Sequence, residues 1–289
     1  MKKIAIIGCE NSHANAFLKC IKENEKYSDI EVIGVYSEET EAAKKLSDEY
    51  GVPVLESADA AVGKIDGLII TARHGGKHYQ WAKPYMKSGI PMFIDKPITA
   101  SEEDAIALAK DIVANNVKFV GGSSVIHAPA LRELVKRTAE IPEEEIYGGY
   151  FRAPVSPDSP YGGFSFYAAH LLALMTSVLG NFPDSVTANR GESGRIDGIV
   201  NYGDKKAHFT YTNDSWAYYA YLSHKGGMEG GEVLLIDVYA SEFAEFYDIL
   251  SGGECKTDVR DFVAPVFIMN AIERAYNSGK CEPVNKIEI

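Results

Sequence analysis

The first 122 residues alternate short apolar runs with stretches of mixed polarity. The apolar runs are "KIAIIG" at 3–8, "EVIGVYS" at 31–37, "GLIITA" at 67–72, "IPMFID" at 90–95 and "VKFVGG" at 117–122. Each has strand length and few polar breaks, as strands covered on both faces do. The segments between them read as helices: 12–25, "EETEAAKKLSDEYG", "HYQWAKPYMKSG" with an internal proline, and "SEEDAIALAKDIVANN". The second of these ends at Gly51, a C-terminal signal, and the last opens on Ser101 and Asp104, a capping-box spacing. "VPVL" is short and extended. Strands that alternate with helices need crossover connections, so the pattern predicts a doubly wound, parallel α/β domain over 1–122.

From residue 123 the pattern changes. A helix over Pro129–Ala139 leads into "EEEIYGGYFRA", then a loop "PVSPDSPYGG" and a helix over Phe164–Leu179. Strand-like runs follow: "SVTANR", "RIDGIVNYG", "KAHFTYTN", "WAYYAYLSHK" and "EVLLIDVYA". Turns such as "YGDKK" and "HKGGMEGGE" separate them, as in antiparallel hairpins. Helices over Glu242–Leu250 and Val259–Ser278 close the chain. The expected second domain, 123–289, is therefore α+β with an open, mainly antiparallel sheet.

Composition narrows the function classes. A chain of 289 residues with 46% hydrophobic and 24% charged residues is an ordinary globular protein with room for two cores. A membrane helix needs about 18 or more uninterrupted apolar residues. The best run, "AAHLLALMTSVLG", is shorter and holds His170, while the run after "MKK" stops at Gly8 and Glu10. A cytoplasmic location and no membrane partner are expected. The net charge of −12, with basic residues scattered, opposes binding to nucleic acid. Cys9, Cys20, Cys255 and Cys281 form no C-x-x-C pair and read as reduced thiols, with no metal site.

The turn after the first strand is the place for candidate chemistry. A dinucleotide fingerprint reads G-x-G-x-x-G, with an acid at the end of the second strand for the ribose hydroxyls. Here the six positions are Gly8, Cys9, Glu10, Asn11, Ser12 and His13, and the ribose position is Ser37. Only the first glycine is kept. Glu10 puts a negative side chain where the pyrophosphate should approach, and His13 is bulky where helix and sheet should pack closely. In favour stand the helix N-terminus, which attracts anions, and Asn11, Ser12 and His13 as donors to phosphate. Asn11 or Ser12 can equally be a helix cap. Glu38 and Glu39 would repel a 2′-phosphate, which favours NAD over NADP.

Three further stretches resemble the Gfo/Idh/MocA family of NAD(P)-dependent sugar and polyol dehydrogenases. "TARHGGKHYQWAKPYMKSGIPMFIDKPITAS" is similar to its middle, with His78 after the strand turn and Asp95-Lys96-Pro97 at the family's Glu-Lys-Pro motif. "GGFSFYAAHLLALMTSVLG" resembles the helix bearing Asp-x-x-x-His, with His170 at the histidine, and "APVFIMNAIERAYNSGKCEPV" resembles the closing helix. The resemblance implies a Rossmann domain for the cofactor and a second domain for substrate and oligomer contacts. It also implies a lysine and a histidine beside the nicotinamide, and a cis Lys96–Pro97 bond. The family aspartate four residues before the histidine is Phe166 here, and Tyr167 is the candidate hydroxyl partner in its place.

These readings combine into an NAD-linked oxidoreductase acting on a sugar, polyol or related hydroxy compound. Lys96, His170 and Tyr167 are the catalytic candidates. Gly8, Asn11, Ser12, His13, Ser37, His78 and Asp95 are the cofactor candidates, and Arg73, His74 and His127 the substrate candidates. Each has a plainer reading: His170 and Tyr167 as core residues, Arg73 and His74 as loop decoration. A homodimer or homotetramer is expected from the open sheet. The rival is a non-catalytic, sugar- or nucleotide-binding regulatory protein of the same fold, suggested by the lost glycines and the two lost acids.

Overall fold

The computed structural model describes residues 1–289. They form two compact units. The first contains Met1–Gly122 with Tyr239–Val259 and Ile289, and the second Ser123–Val238 with Arg260–Glu288.

In the first unit the apolar runs are strands β1 (Lys2–Ile7), β2 (Ile30–Tyr36), β3 (Gly67–Ile70), β4 (Met92–Asp95) and β5 (Phe119–Gly122). The helices between them are α1 (Ser12–Glu23), α2 (Thr40–Tyr50), the short α3 (His78–Ala82) and α4 (Glu102–Asn115). After α3 the predicted helix tightens into a 3-10 turn at Lys83–Ser88, where Pro84 cannot supply the α-helical N–H. The five strands are all parallel, in the order β2-β1-β3-β4-β5. Val54 of "VPVL" makes a single parallel bridge to Val35 outside β2. With that remnant counted as a strand, the order becomes that of the Rossmann sheet, reversing between β1 and β3. The carboxyl ends of those two strands flank the crevice where such sheets bind ligands.

Nothing in the sequence pattern shows that residues 239–259 rejoin this unit. Helix α7 (Val238–Leu250) brings Phe243, Phe246 and Ile249 into the core formed by Ile4, Phe17, Tyr27 and Phe93. Burying such rings contributes roughly 2–3 kcal/mol each, which holds the returning segment in place.

The second unit carries α5 (Pro129–Thr138), β6 (Ile146–Pro154), α6 (Ser165–Leu179), β7 (Ser185–Arg190), β8 (Ile196–Tyr202), β9 (Lys205–Thr212), β10 (Tyr219–His224) and β11 (Gly227–Glu232). Helix α8 (Val259–Ser278) and β12 (Glu282–Pro283) complete it. The seven strands lie in the order β11-β10-β6-β9-β8-β7-β12. All neighbours are antiparallel except β6 and β9, so the sheet is mixed. Helix α6 is apolar nearly all round, with Leu171, Leu172, Leu174 and Met175 buried, and the Tyr211 hydroxyl donates to Ala168 O at 2.8 Å.

One strand lies elsewhere than expected. "EVLLIDVYA" reads as a strand, yet Leu234 to Ile236 are exposed and the chain enters α7 at Val238. The last strand of that run is instead Gly227–Glu232, within the glycine-rich stretch that reads as a turn. It is an edge strand paired on one side only, where backbone hydrogen bonding to β10 outweighs the weak preference of glycine for strands. No helix is long and apolar enough to cross a membrane, and no group of three or more His, Cys, Asp or Glu side chains is arranged to hold a metal ion.

Candidate functional site

The first unit gathers polar side chains at the carboxyl ends of its strands. Gly8 has φ +85°, and a Cβ there would lie 2.4 Å from Ala72 N, so the turn leaving β1 admits only glycine. Thr71 Oγ1 fastens the same turn by donating to Gly8 O at 2.9 Å. Asn11 caps α1, its Oδ1 accepting from His13 N at 2.8 Å. Its amide donates to Asp95 Oδ2 at 3.0 Å. Asn11 is thus a cap and a tie to β4, the plainer of its two readings.

His13 does not face the turn's mouth as a phosphate donor would. It is buried, with Nδ1 3.2 Å from Asp95 Oδ2 and Nε2 3.5 Å from Glu242 Oε2, and its ring packs edge-on against Tyr239. Its bulk, out of place at a third fingerprint glycine, fills a pocket lined by the returning helix. Burial lowers the His13 pKa, and the Asp95 charge opposes that shift. Glu242 is 2% exposed and neither carboxyl oxygen has a hydrogen-bond partner; His13 Nε2 is within ion-pair reach but forms no hydrogen bond. Burial, reinforced by the Asp95 charge, pushes its pKa well above the ordinary carboxylate value, which favours the neutral acid.

Asp95 is fully buried and accepts Lys96 N at 2.6 Å on Oδ1. It braces the turn into the cis Lys96–Pro97 peptide. His78 is likewise fully buried, with Nδ1 2.7 Å from Pro97 O and Nε2 2.9 Å from Ala72 O. It cross-ties the turns after β3 and β4, both ring nitrogens being engaged by backbone carbonyls. Lys96 is 7% exposed, and burial lowers its pKa against the pull of Asp95 and Glu242.

Four more candidates lie along this edge. Ser37 Oγ donates to Glu10 Oε2 at 2.7 Å and accepts from Glu39 N at 3.0 Å. Arg73 donates from its backbone N to Glu10 Oε1 at 2.8 Å and from its guanidinium to Glu10 O. His74 caps the 3-10 turn over Gly75–Lys77, its Nδ1 accepting from Gly76 N at 3.1 Å, so its ring is engaged locally. Ser12 Oγ lies 3.4 Å from Tyr239 Oη. Backbone N–H groups at the start of α1, the Ser12 hydroxyl, Arg73 and Lys96 form a donor set suited to a dinucleotide's phosphates and hydroxyls, while the Ser37 hydroxyl proton is taken by Glu10.

The second unit holds the other candidates. His170 on α6 is 6% exposed, with Nδ1 2.7 Å from Ser123 Oγ. Ser123 also caps the 3-10 turn Ser124–His127. The sequence offers Tyr167 as the hydroxyl partner, but the hydroxyl on Nδ1 is that of Ser123. Tyr167 meets His170 through its ring, with centroids 5.3 Å apart. Phe166, at the missing aspartate, packs against Tyr161 and Tyr167. Tyr218 stands edge-on to His170, and Trp216, 71% exposed, packs against Tyr167. His127 is buried with Nδ1 2.6 Å from Arg132 Nη2. Burial and the Arg132 charge push its pKa down to about 4, so it is neutral at physiological pH. Sequence reasoning misses Ser123 and Glu242. A serine before "SVIH" carries no signal, but Glu242 stands on the apolar stripe of Tyr239, Phe243, Phe246 and Ile249, where an acid is out of place.

Comparison with known proteins gives this geometry a context. Residues 2–122 match the model GFO_IDH_MocA, described as an oxidoreductase family with an NAD-binding Rossmann fold. Among solved structures the chain is similar to scyllo-inositol dehydrogenase from Lactobacillus casei with bound NAD(H) and scyllo-inositol, with a TM-score of 0.84, 16% identity, and 98% of this chain and 99% of that one covered. It is also similar to GenD2 from gentamicin A biosynthesis in complex with NAD, at 0.83 and 14%, covering 99% and 97%. An oxidoreductase from Agrobacterium radiobacter in complex with NAD+, L-tartaric acid and magnesium matches at 0.77 and 15%, covering 98% of each chain.

Proposed function

We propose, from the premise that residues 2–122 belong to the Gfo/Idh/MocA oxidoreductase family as its NAD-binding Rossmann domain, that this protein oxidises a hydroxyl of a small polyol, sugar or sugar-derived acid. The observation that carries the reading is Lys96. It is a nearly buried amine at the end of β4, fixed through its backbone by Asp95, with its pKa lowered by burial. An amine whose pKa is lowered can donate a hydrogen bond to a reacting oxygen and give up a proton more readily than an ordinary surface lysine. NAD, when bound, supplies the nicotinamide that accepts the hydride. The backbone at the start of α1, Ser12 and Ser37 hold its phosphates and ribose, and the acids Glu38 and Glu39 favour NAD over NADP.

His170 is the proposed acid/base. Ser123 fixes its Nδ1 at 2.7 Å, which assigns the proton exchanged with the substrate hydroxyl to Nε2. Tyr161, Tyr167 and Trp216 offer aromatic faces against which the C–H face of a ring polyol can lie. The inositol, aminoglycoside-pathway and tartrate proteins named above support a polyhydroxylated substrate. The open seven-stranded sheet supports a homodimer or homotetramer. The test is a screen of inositols, aldoses, sugar acids and hydroxy diacids with NAD, read as NADH absorbance. NADH formation with at least one of them supports the proposal; NADH bound by the protein but no turnover with any class would favour the regulatory reading.

A further inference from the structure

Glu10 reads as an obstacle in the sequence, and its contacts suggest another part. It stands at the second fingerprint glycine's place, where a bare backbone lets pyrophosphate approach. Its carboxylate reaches to the ends of the neighbouring strands: Ser37 Oγ donates to Oε2 at 2.7 Å and Arg73 N donates to Oε1 at 2.8 Å. The Arg73 guanidinium donates to Glu10 O, anchoring the same residue by its backbone. The carboxylate is therefore fixed within hydrogen-bond distance of Ser37, the position where a dinucleotide fold normally carries its ribose-binding acid.

We infer that Glu10 is the ribose carboxylate of this domain, moved from the end of β2 to the turn after β1. The inference rests on the NAD-binding reading and names the residue that recognises the ribose. Each carboxylate oxygen has two acceptor positions, and the two protein donors named above use one on each. One position per oxygen remains, a match for the two adjacent hydroxyls of an unmodified ribose. A 2′-phosphate would remove one of those donors and bring its charge against Glu10, Glu38 and Glu39. The nearby cations do not offset this. Lys77 Nζ lies 3.1 Å from Glu38 Oε1, and Arg73 Nη1 lies 3.8 Å from Glu39 Oε1. The loss of the acid at 37 and the gain of one at 10 are then a single compensated change.

The test is calorimetric titration of the full chain and three variants with NADH and NADPH, each variant first shown by thermal unfolding to be folded. Glu10→Gln and Glu10→Gly should each weaken NADH binding about tenfold or more, the worth of charge-assisted hydrogen bonds to the ribose. NADPH affinity should hold or improve. Adding Ser37→Asp to Glu10→Gln should recover most of the NADH affinity, because a carboxylate returns to the same subsite from β2. Equal or tighter NADH binding by Glu10→Gly overturns the inference and makes Glu10 a plug. Weakened NADH binding without recovery by Ser37→Asp also overturns it, leaving Glu10 a clamp for the turn. In both cases the NAD-binding reading survives. If the unaltered protein and Glu10→Gly bind neither nucleotide, that reading falls and this inference falls with it.

Discussion

His13 and His170 are both buried, yet the two units surround them with opposite chemistry. His13 lies between two carboxyl groups, Asp95 and Glu242, with Lys96 close enough to influence its charge. His170 meets a neutral hydroxyl, Ser123, and the rings of Tyr167 and Tyr218. In the first unit, departures from the glycine fingerprint are compensated by charged and polar ties: Asn11 and His13 to Asp95, Glu10 to Ser37. In the second, His170 meets a neutral partner from a different element, and Phe166 stands where the resemblance implies an aspartate. A lost motif residue therefore says little until its neighbours are known. What matters is whether the group left behind is satisfied.

The comparison can be broken most directly at Lys96. Lys96→Ala should lower turnover of any accepted substrate about a thousandfold while NADH affinity, measured by calorimetry, changes only a few-fold. Equal losses in both would make Lys96 a part of the fold. In the second unit, Ser123→Ala should reduce kcat by up to about a hundredfold through misorientation of His170, with KM little changed and Ser123→Thr retaining most activity. Phe166→Asp should sharpen the contrast. A carboxylate beside His170 favours the imidazolium, so the acid limb of the pH–rate profile for alcohol oxidation moves up by about one unit. No movement would mean that a side chain placed at 166 does not reach the ring.

Two smaller effects concern stability. The Glu242 carboxyl titrates above its unfolded value, so the native state keeps a proton that the unfolded chain has lost, and stability falls as pH rises from the ordinary value of 4.5 toward the folded one. Glu242→Gln removes that loss. Its melting temperature should exceed the parent's by a few degrees at neutral pH and by less near pH 4.5, as calorimetric scans at several pH values would show. His127 behaves in the opposite sense. Its folded value of about 4 lies below the ordinary 6.5, so its contribution is whole above 6.5 and lost as pH falls toward 4. His127→Gln should make the acid limb of the stability curve shallower over that window, while His13 and His78, lowered by burial too, keep it from vanishing.

The sequence reveals the fold far better than the roles of single residues. Strands of the first unit are written locally, as apolar runs between capped helices, and Lys96 lies beside a proline at a strand end. The return of residues 239–259 is not written locally, because Phe243 and Phe246 would suit any apolar partner. The glycine-rich β11 escapes for a related reason: its place depends on pairing with β10, not on its own side chains. Among the candidate site residues, His78 and His13 share one feature. A polar residue in the right turn reads as facing a ligand, whereas burial and carbonyl or carboxyl partners make each a brace. Ser123 is invisible in the sequence because a serine–histidine contact across 47 residues leaves no trace in spacing.

The central claim is that a turn with one fingerprint glycine still binds NAD. Calorimetric titration of the purified protein with NADH and NADPH tests it without knowledge of the substrate. The expected result is a dissociation constant for NADH of about micromolar order and weaker binding of NADPH. No heat of binding with NADH up to about millimolar concentration, together with no nucleotide retained through purification, would contradict it.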